Sequence, residues 1–452
     1  MIARRTLLGG AAALLSWPAF AADDGVVAAG HDLLFGTRAD FDAALARLRR
    51  RGKPDVVALL ILALRFRVVW RAPLFAALKE LTGYGATDWF DWMVWQERHP
   101  EIVPHPAFTA LKLETLRRID SDFLEFFPPE SLGRERMRIR LEEITWGGVG
   151  AKTGIPSLDR PKTILAGEAS YLRADDLVFG AEINGDARAY PLCIMGWHEM
   201  MNDVIGGIPM ALAYCTLCGS GILYKTRVPP RPQALVFGSS GLLYRSNKLM
   251  FDWETLSLWN QFTGRTVIGP LAGSAIELPV RPLAITEWRH WRAEHPSTTV
   301  LSLDTGHHRD YRSGVVYRDY FSDPGLMFPA ATNADSPLQP KDYVYGIRRF
   351  AAARAWPLAA FKGRRVINDA IGELPVVLIG DAAARTVRAY ERGTAAFTWR
   401  DGKPHGPGGA WTITEAALLG PAGERLPRVA GRLSYWFAWD GYHGLRSELY
   451  KP

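Results

Sequence analysis

The chain has 452 residues, 48% of them hydrophobic, with 54 Lys and Arg against 47 Asp and Glu and a net charge of +7. That is enough apolar chain for a large core and two or three domains. The basic residues are scattered, and their longest run, Arg49-Arg50-Arg51, reads as a solvated helix face with no nucleic-acid motif beside it, so the composition argues against a nucleic-acid partner. Three cysteines, Cys193, Cys215 and Cys218, are too few for a disulfide framework. The 16 Trp and 15 Tyr point to rigid aromatic packing or an aromatic-lined cleft.

Met1–Ala22 opens with Arg4-Arg5, continues through a short apolar run and closes on Ala19-Phe20-Ala21. This resembles a twin-arginine export signal with cleavage after Ala21. The expected product is a periplasmic protein with no stable membrane span, since the apolar run is too short to cross a bilayer comfortably. Val56–Leu64 is also apolar but short, and Arg65 and Arg67 close it, which predicts a buried core helix.

The apolar spacing stays helical to about Phe127, with Phe41, Leu45 and Leu48 on one stripe and Leu74, Leu78 and Leu81 on another. Breaks at Gly52-Lys53-Pro54, Ala72-Pro73, Gly83-Tyr84-Gly85 and Pro104–Pro106 give short amphipathic helices that resemble a HEAT-like array over residues 30–145. Thr145–Asp159 is rich in Gly and Pro and reads as a linker. Strand signals follow, beginning with a predicted hairpin from Val178–Asn184 to Ala187–Leu192.

Two stretches of the strand-rich region match each other. Ala187-Arg-Ala-Tyr-Pro-Leu192 reappears as Ala353-Arg-Ala-Trp-Pro-Leu358, and Asn202-Asp-Val-Ile-Gly206 as Asn368-Asp-Ala-Ile-Gly372, at one common offset. Trp288-x-x-Trp291 pairs with Trp436-x-x-Trp439 at a shorter one. The expected fold is α+β: a helical region, then a β-rich domain built by internal duplication, one copy over residues 155–345 and a shortened one over 346–452.

Chemistry concentrates in the first copy. Ile208–Tyr214 reads as a buried strand that runs into Cys215-Thr-Leu-Cys218-Gly219, preceded by Trp197-His198-Glu199. At the common offset His198 maps to Arg364, Cys193 to Ala359, Cys215 to Asp381 and Cys218 to Ala384, so a site residue is separable from the scaffold. Asn202 and Asp203 recur in both copies and read as turn-forming.

Ala187–Leu192, Trp197-His198-Glu199 with Asn202-Asp203, Tyr214–Gly219, Phe237-Gly-Ser-Ser-Gly-Leu242, Met250-Phe251-Asp252 and Ser257-Leu-Trp-Asn-Gln261 together resemble the bacterial domain-of-unknown-function family 3179. The resemblance runs from about Ile155 to Phe437. It implies no settled activity. Its members are thought to include selenoproteins, which implies redox work at a cysteine position.

Cys215 and Cys218 have the spacing of a metal knuckle, with His198 as third ligand and Met250, Met200 or Cys193 as candidate fourth. Copper suits two thiolates, an imidazole and a thioether; zinc suits a Cys-Cys-His set with an open position. The same spacing serves a metal-free thiol–disulfide oxidoreductase, with Glu199 as proton carrier or orienter of His198. A structural Cys215–Cys218 disulfide would constrain little of the unfolded chain. A further alternative is a non-catalytic scaffold. The partner is an unidentified small molecule or periplasmic protein. Ser239, Ser240, Asp252, Ser257 and Gln261 read as turn or cleft residues, His295 as a turn residue and His307-His308 as an exposed loop able to bind metal incidentally, and His443 has no identified partner.

Overall fold

The structure, a computed structural model, describes residues 25–349 and 351–451. The export signal expected over residues 1–22 lies outside the described residues.

Six α-helices lead the described residues: α1 (Val26–Phe35), α2 (Arg38–Arg50), α3 (Val57–Phe66), α4 (Arg71–Thr82), α5 (Trp89–Arg98) and α6 (Ala107–Ile119). Local sequence sets their ends. Thr37 and Asp40 form a reciprocal capping box at the start of α2, and Gly83, at φ 73, ends α4 in the left-handed conformation. Every residue of α3 from Val57 to Leu64 is buried, as a short apolar run closed by Arg65 predicts. α1 packs against both α2 and α6, and α3 against α4 and α5. The bundle therefore closes on itself, whereas a stack whose repeats touch only their neighbours would keep its first and last helices apart. No helix among the described residues is long and apolar enough to cross a membrane.

The stretch expected to be a linker is partly sheet. Ile144–Trp146 pairs antiparallel with the strand Phe237–Tyr244, which pairs with Asn247–Asp252. The helical bundle packs its apolar face on this sheet, with the rings of Phe126 and Phe251 5.0 Å apart in one shared core.

Beyond it one order of elements occurs twice. Leu177–Ile183, Asp186–Pro191, the short α7 (Leu192–His198), Met200–Ile205, Ile208–Cys215 and Ser220–Lys225 come first. Tyr343–Arg349, Ala352–Pro357, the single turn Leu358–Phe361, Val366–Ile371, Leu374–Asp381 and Thr386–Glu391 come second. Each set is tied by the same devices. Asn202 brackets the main chain of Phe237, taking its N–H at 2.9 Å and donating to its carbonyl at 2.8 Å; Asn368 does the same to Phe397 at 2.9 and 2.8 Å. Trp291, on α8 (Trp288–Glu294), packs its indole against Gly180, and Trp439 packs against Gly346. α9 (Arg318–Ser322) lies in the stretch between the strands Thr299–Leu301 and Tyr343–Arg349, and Trp439 belongs to α10 (Trp436–His443).

Candidate functional site

The strand Ile208–Cys215 is buried from Met210 onward and turns through Thr216–Gly219 into Ser220–Lys225, with Cys215 paired to Ser220. Gly219 closes the turn at φ 58, and a side chain there would press on the rings of Tyr343 and Tyr435. The turn thus brings both thiols together. Cys215 and Cys218 are free, their sulfurs are 3.1 Å apart, and they are 1% and 0% exposed.

The two sulfurs are electrostatically unequal. Burial raises the Cys215 thiol, but the hydrogen bond shared with Cys218 and the main-chain N–H groups of Lys248 and Cys218 outweigh it and hold its pKa below the usual thiol value. Cys218 is driven well above that value, by burial first and then by its bond to Cys215. The Asn247 amide donates to the Cys218 sulfur at 3.1 Å, and the Ser246 carbonyl lies 3.6 Å from it. The arrangement favours proton loss at Cys215 over Cys218.

A buried ion pair stands beside it. Glu199 follows α7 at φ 56, and its carboxylate accepts from Thr216 at 3.1 Å and Ser239 at 3.3 Å. Lys248, 2% exposed, donates to the Glu199 carbonyl at 2.8 Å with its ammonium 3.6 Å from the carboxylate. Burial lowers the Lys248 pKa, while Glu199 and both cysteines pull it back up. The hydroxyl of Tyr317 hydrogen-bonds to Thr216 and Glu199, and that of Tyr320 donates to the Leu217 carbonyl at 2.6 Å, so the connection around α9 covers the turn.

The expected third ligand goes elsewhere. His198 ends α7 and engages both ring nitrogens, Nδ1 with the Pro156 carbonyl at 2.9 Å and Nε2 with the Tyr311 hydroxyl at 2.7 Å. Neither nitrogen is left for a sulfur, and burial holds its pKa down at about 4. Among the described residues the cysteines and His198 do not form a set of three mutually close donors. The set that does is Glu294, His295 and Glu415, within 4.8 Å of one another. There Arg388 and Arg428 already pair with Glu415, and Arg388 also reaches Glu294 at 2.8 Å, so a cation would have to displace two guanidinium groups. Met250 packs in the same apolar cluster as both sulfurs and Met200, as a core thioether does. Cys193 belongs to a different cluster, and burial together with Asp176 pushes its thiol up to about 12.

A cleft of ≈ 490 Å³ opens beside the turn, lined by Asp176, Cys193 and Tyr214 from earlier in the chain and by Tyr343, Arg385 and Tyr435 from later in it. Tyr214 immediately precedes Cys215, and the Tyr343–Tyr435 pair, with ring centroids 4.6 Å apart, rests on Gly219.

Lys248 and the tyrosines escaped the sequence reading. Lys248 had a signal, a lone charge in the apolar strand Asn247-Lys-Leu-Met-Phe251. Tyr317, Tyr320, Tyr343 and Tyr435 had none, because they arrive from segments distant in the chain.

The family model described as "Protein of unknown function (DUF3179)" matches residues 152–445. No curated protein and no solved structure matches the chain.

Proposed function

Because the chain belongs to this family of unknown function, its activity must be read from its own residues, and we propose that Cys215 and Cys218 are a two-electron thiol–disulfide centre for a low-mass disulfide. The carrying observation is the pair itself: two free, buried sulfurs 3.1 Å apart, with Cys215 the more readily ionised of the two. The Cys215 thiolate attacks one substrate sulfur; the mixed S–S bond forms, the substrate S–S bond breaks, and a thiolate leaves. Cys218 then loses its proton and attacks the Cys215 sulfur, closing the Cys215–Cys218 bond and releasing the second half of the substrate. The pair supplies two electrons and one proton. The second proton, needed for both products to leave as thiols, comes from solvent through Glu199, which Lys248 holds against the site.

This reading replaces copper or zinc as the favoured one, because the imidazole that would complete a metal site is committed to Pro156 and Tyr311. The export signal read over Met1–Ala22 would place the chemistry in the periplasm, where such exchange is at home. We also infer that residues 155–345 and 346–452 are copies of one unit, supported by the repeated order of elements and the matched Asn202 and Asn368 brackets.

The test is a thiol count with elemental analysis on protein matured in cells. Two thiols that appear on reduction and vanish with oxidised substrate, without stoichiometric metal, support the proposal. Stoichiometric copper or zinc that leaves when both cysteines are changed to serine overturns it.

A further inference from the structure

The cleft lies between two hairpins of the same build, one ending at Cys215 and the other at Asp381, and its charged groups are unevenly satisfied. Its acids have partners. Asp176 accepts from the Ser313 hydroxyl and, at 2.8 Å, from the Arg173 N–H; Asp175 lies 3.7 Å from Arg173; Asp323 accepts from the Gly325 N–H. Its cations Lys341 and Arg385 have no carboxylate within ion-pair distance among the described residues. Arg385 sits at φ 52 in the second hairpin's turn, with its guanidinium 3.4 Å from the Tyr343 hydroxyl and 5.0 Å from that ring's centre. Lys341 lies 3.5 Å over the Tyr320 ring and donates to the carbonyls of Tyr320 and Asp323, which leaves one of its three N–H groups unspent.

We infer that this cleft binds a small organic carboxylate, with the anion between Arg385 and Lys341 and a flat or apolar body against Tyr343 and Tyr435. A planar guanidinium beside an aromatic wall matches a carboxylate that carries an apolar group. The cleft's place between two packed units, with a few converging polar groups, is that of a small-molecule site. Combined with the dithiol reading, on which this part rests, the substrate class is a carboxylate-bearing low-mass disulfide. Arg385 of the second hairpin and Lys341 from the segment before it then supply the anchor, while the first hairpin holds the sulfurs.

The binding test uses benzoate and its neutral counterpart benzamide, titrated against the full chain by calorimetry. Benzoate should bind about tenfold or more tightly than benzamide, as a charge-assisted contact allows. Arg385→Gln and Lys341→Met should each shrink that ratio, and Arg385→Lys should restore part of it. Equal binding of both probes by the native chain, or an unchanged ratio in both variants, overturns the inference. The titration involves no thiol chemistry, so it separates two failures. A preserved benzoate preference without disulfide exchange sinks the dithiol reading and leaves the cleft; exchange without preference for dithiodiglycolate over 2-hydroxyethyl disulfide does the reverse.

Discussion

Cys215 and Asp381 take the same hydrogen bond in two hairpins: each ends a strand, pairs with the residue five positions on, and accepts the main-chain N–H three positions on. At Asp381 the acceptor is a carboxylate, 2.9 Å from the Ala383 N–H and 3.3 Å from that of Ala384. A fold that seats an anion at this corner in one hairpin offers the same amide dipoles to the sulfur in the other. Arg365 also pairs with Asp381, so the shared amides are one contribution to treating Cys215 as the nucleophile and Cys218 as the resolving thiol.

Exchanging the cysteines one at a time separates these roles. Cys218→Ser should accumulate a mixed disulfide through Cys215 when mixed with a low-mass disulfide, seen as a mass gain of one substrate half. Cys215→Ser should form none, because the remaining thiol is driven to high pKa by burial. Equal trapping in both variants would refute the assignment.

The charge of Glu199 raises the Cys215 pKa, and its removal should lower it. Glu199→Gln should therefore move the pH midpoint of Cys215 alkylation by iodoacetamide to the acid side. If Glu199 also carries the second proton, the steady-state exchange rate falls in the same variant even where more thiolate is present. Opposite movement of the two readouts is the expected signature.

His198 makes stability pH-dependent. Its pKa is about 4 in the fold, where burial disfavours the charged ring, against 6.5 in the unfolded chain. Between these values the unfolded chain binds more protons, so stability falls as pH drops from 6.5 toward 4 and is retained above that window. The loss should be on the order of 2 kcal/mol, read as a falling urea midpoint. His443, lowered to about 3 chiefly by burial, extends the loss to lower pH. His198→Gln should be less stable at neutral pH but show a shallower acid slope.

Gly346→Ala should destabilise by about 1–3 kcal/mol, because the added methyl meets the indole of Trp439. That indole cannot easily withdraw, since its Nε1 donates to Ser447 at 2.7 Å. Chemical denaturation followed by tryptophan fluorescence checks this, and an unchanged midpoint would show that the strand shifts to make room.

Much of the scaffold was legible because it is local. The buried α3 followed from an apolar run closed by arginines, and the strand ending at Cys215 from its own apolar residues. The hairpin after Leu177 came one residue out of phase at its turn, Asn184 taking the left-handed conformation beside Gly185. The pair Cys215–Cys218 was legible because its spacing is its geometry. The direction of His198 was not, since its partners Pro156 and Tyr311 come from segments far off in the chain. The Ile144–Trp146 strand was hidden for the same reason: Gly147, Gly148 and Gly150 beside it read as a linker, and only its partner Phe237–Tyr244 makes it sheet.

That strand has a practical consequence for anyone trimming the gene. The family match begins at residue 152, yet the sheet it enters starts at Ile144, and Phe251 and Leu242 rely on the preceding helices for cover. A fragment begun at the family boundary would present a bare sheet edge and a broad greasy face to water. It should precipitate, and silence from such a fragment would say nothing about what the intact protein does.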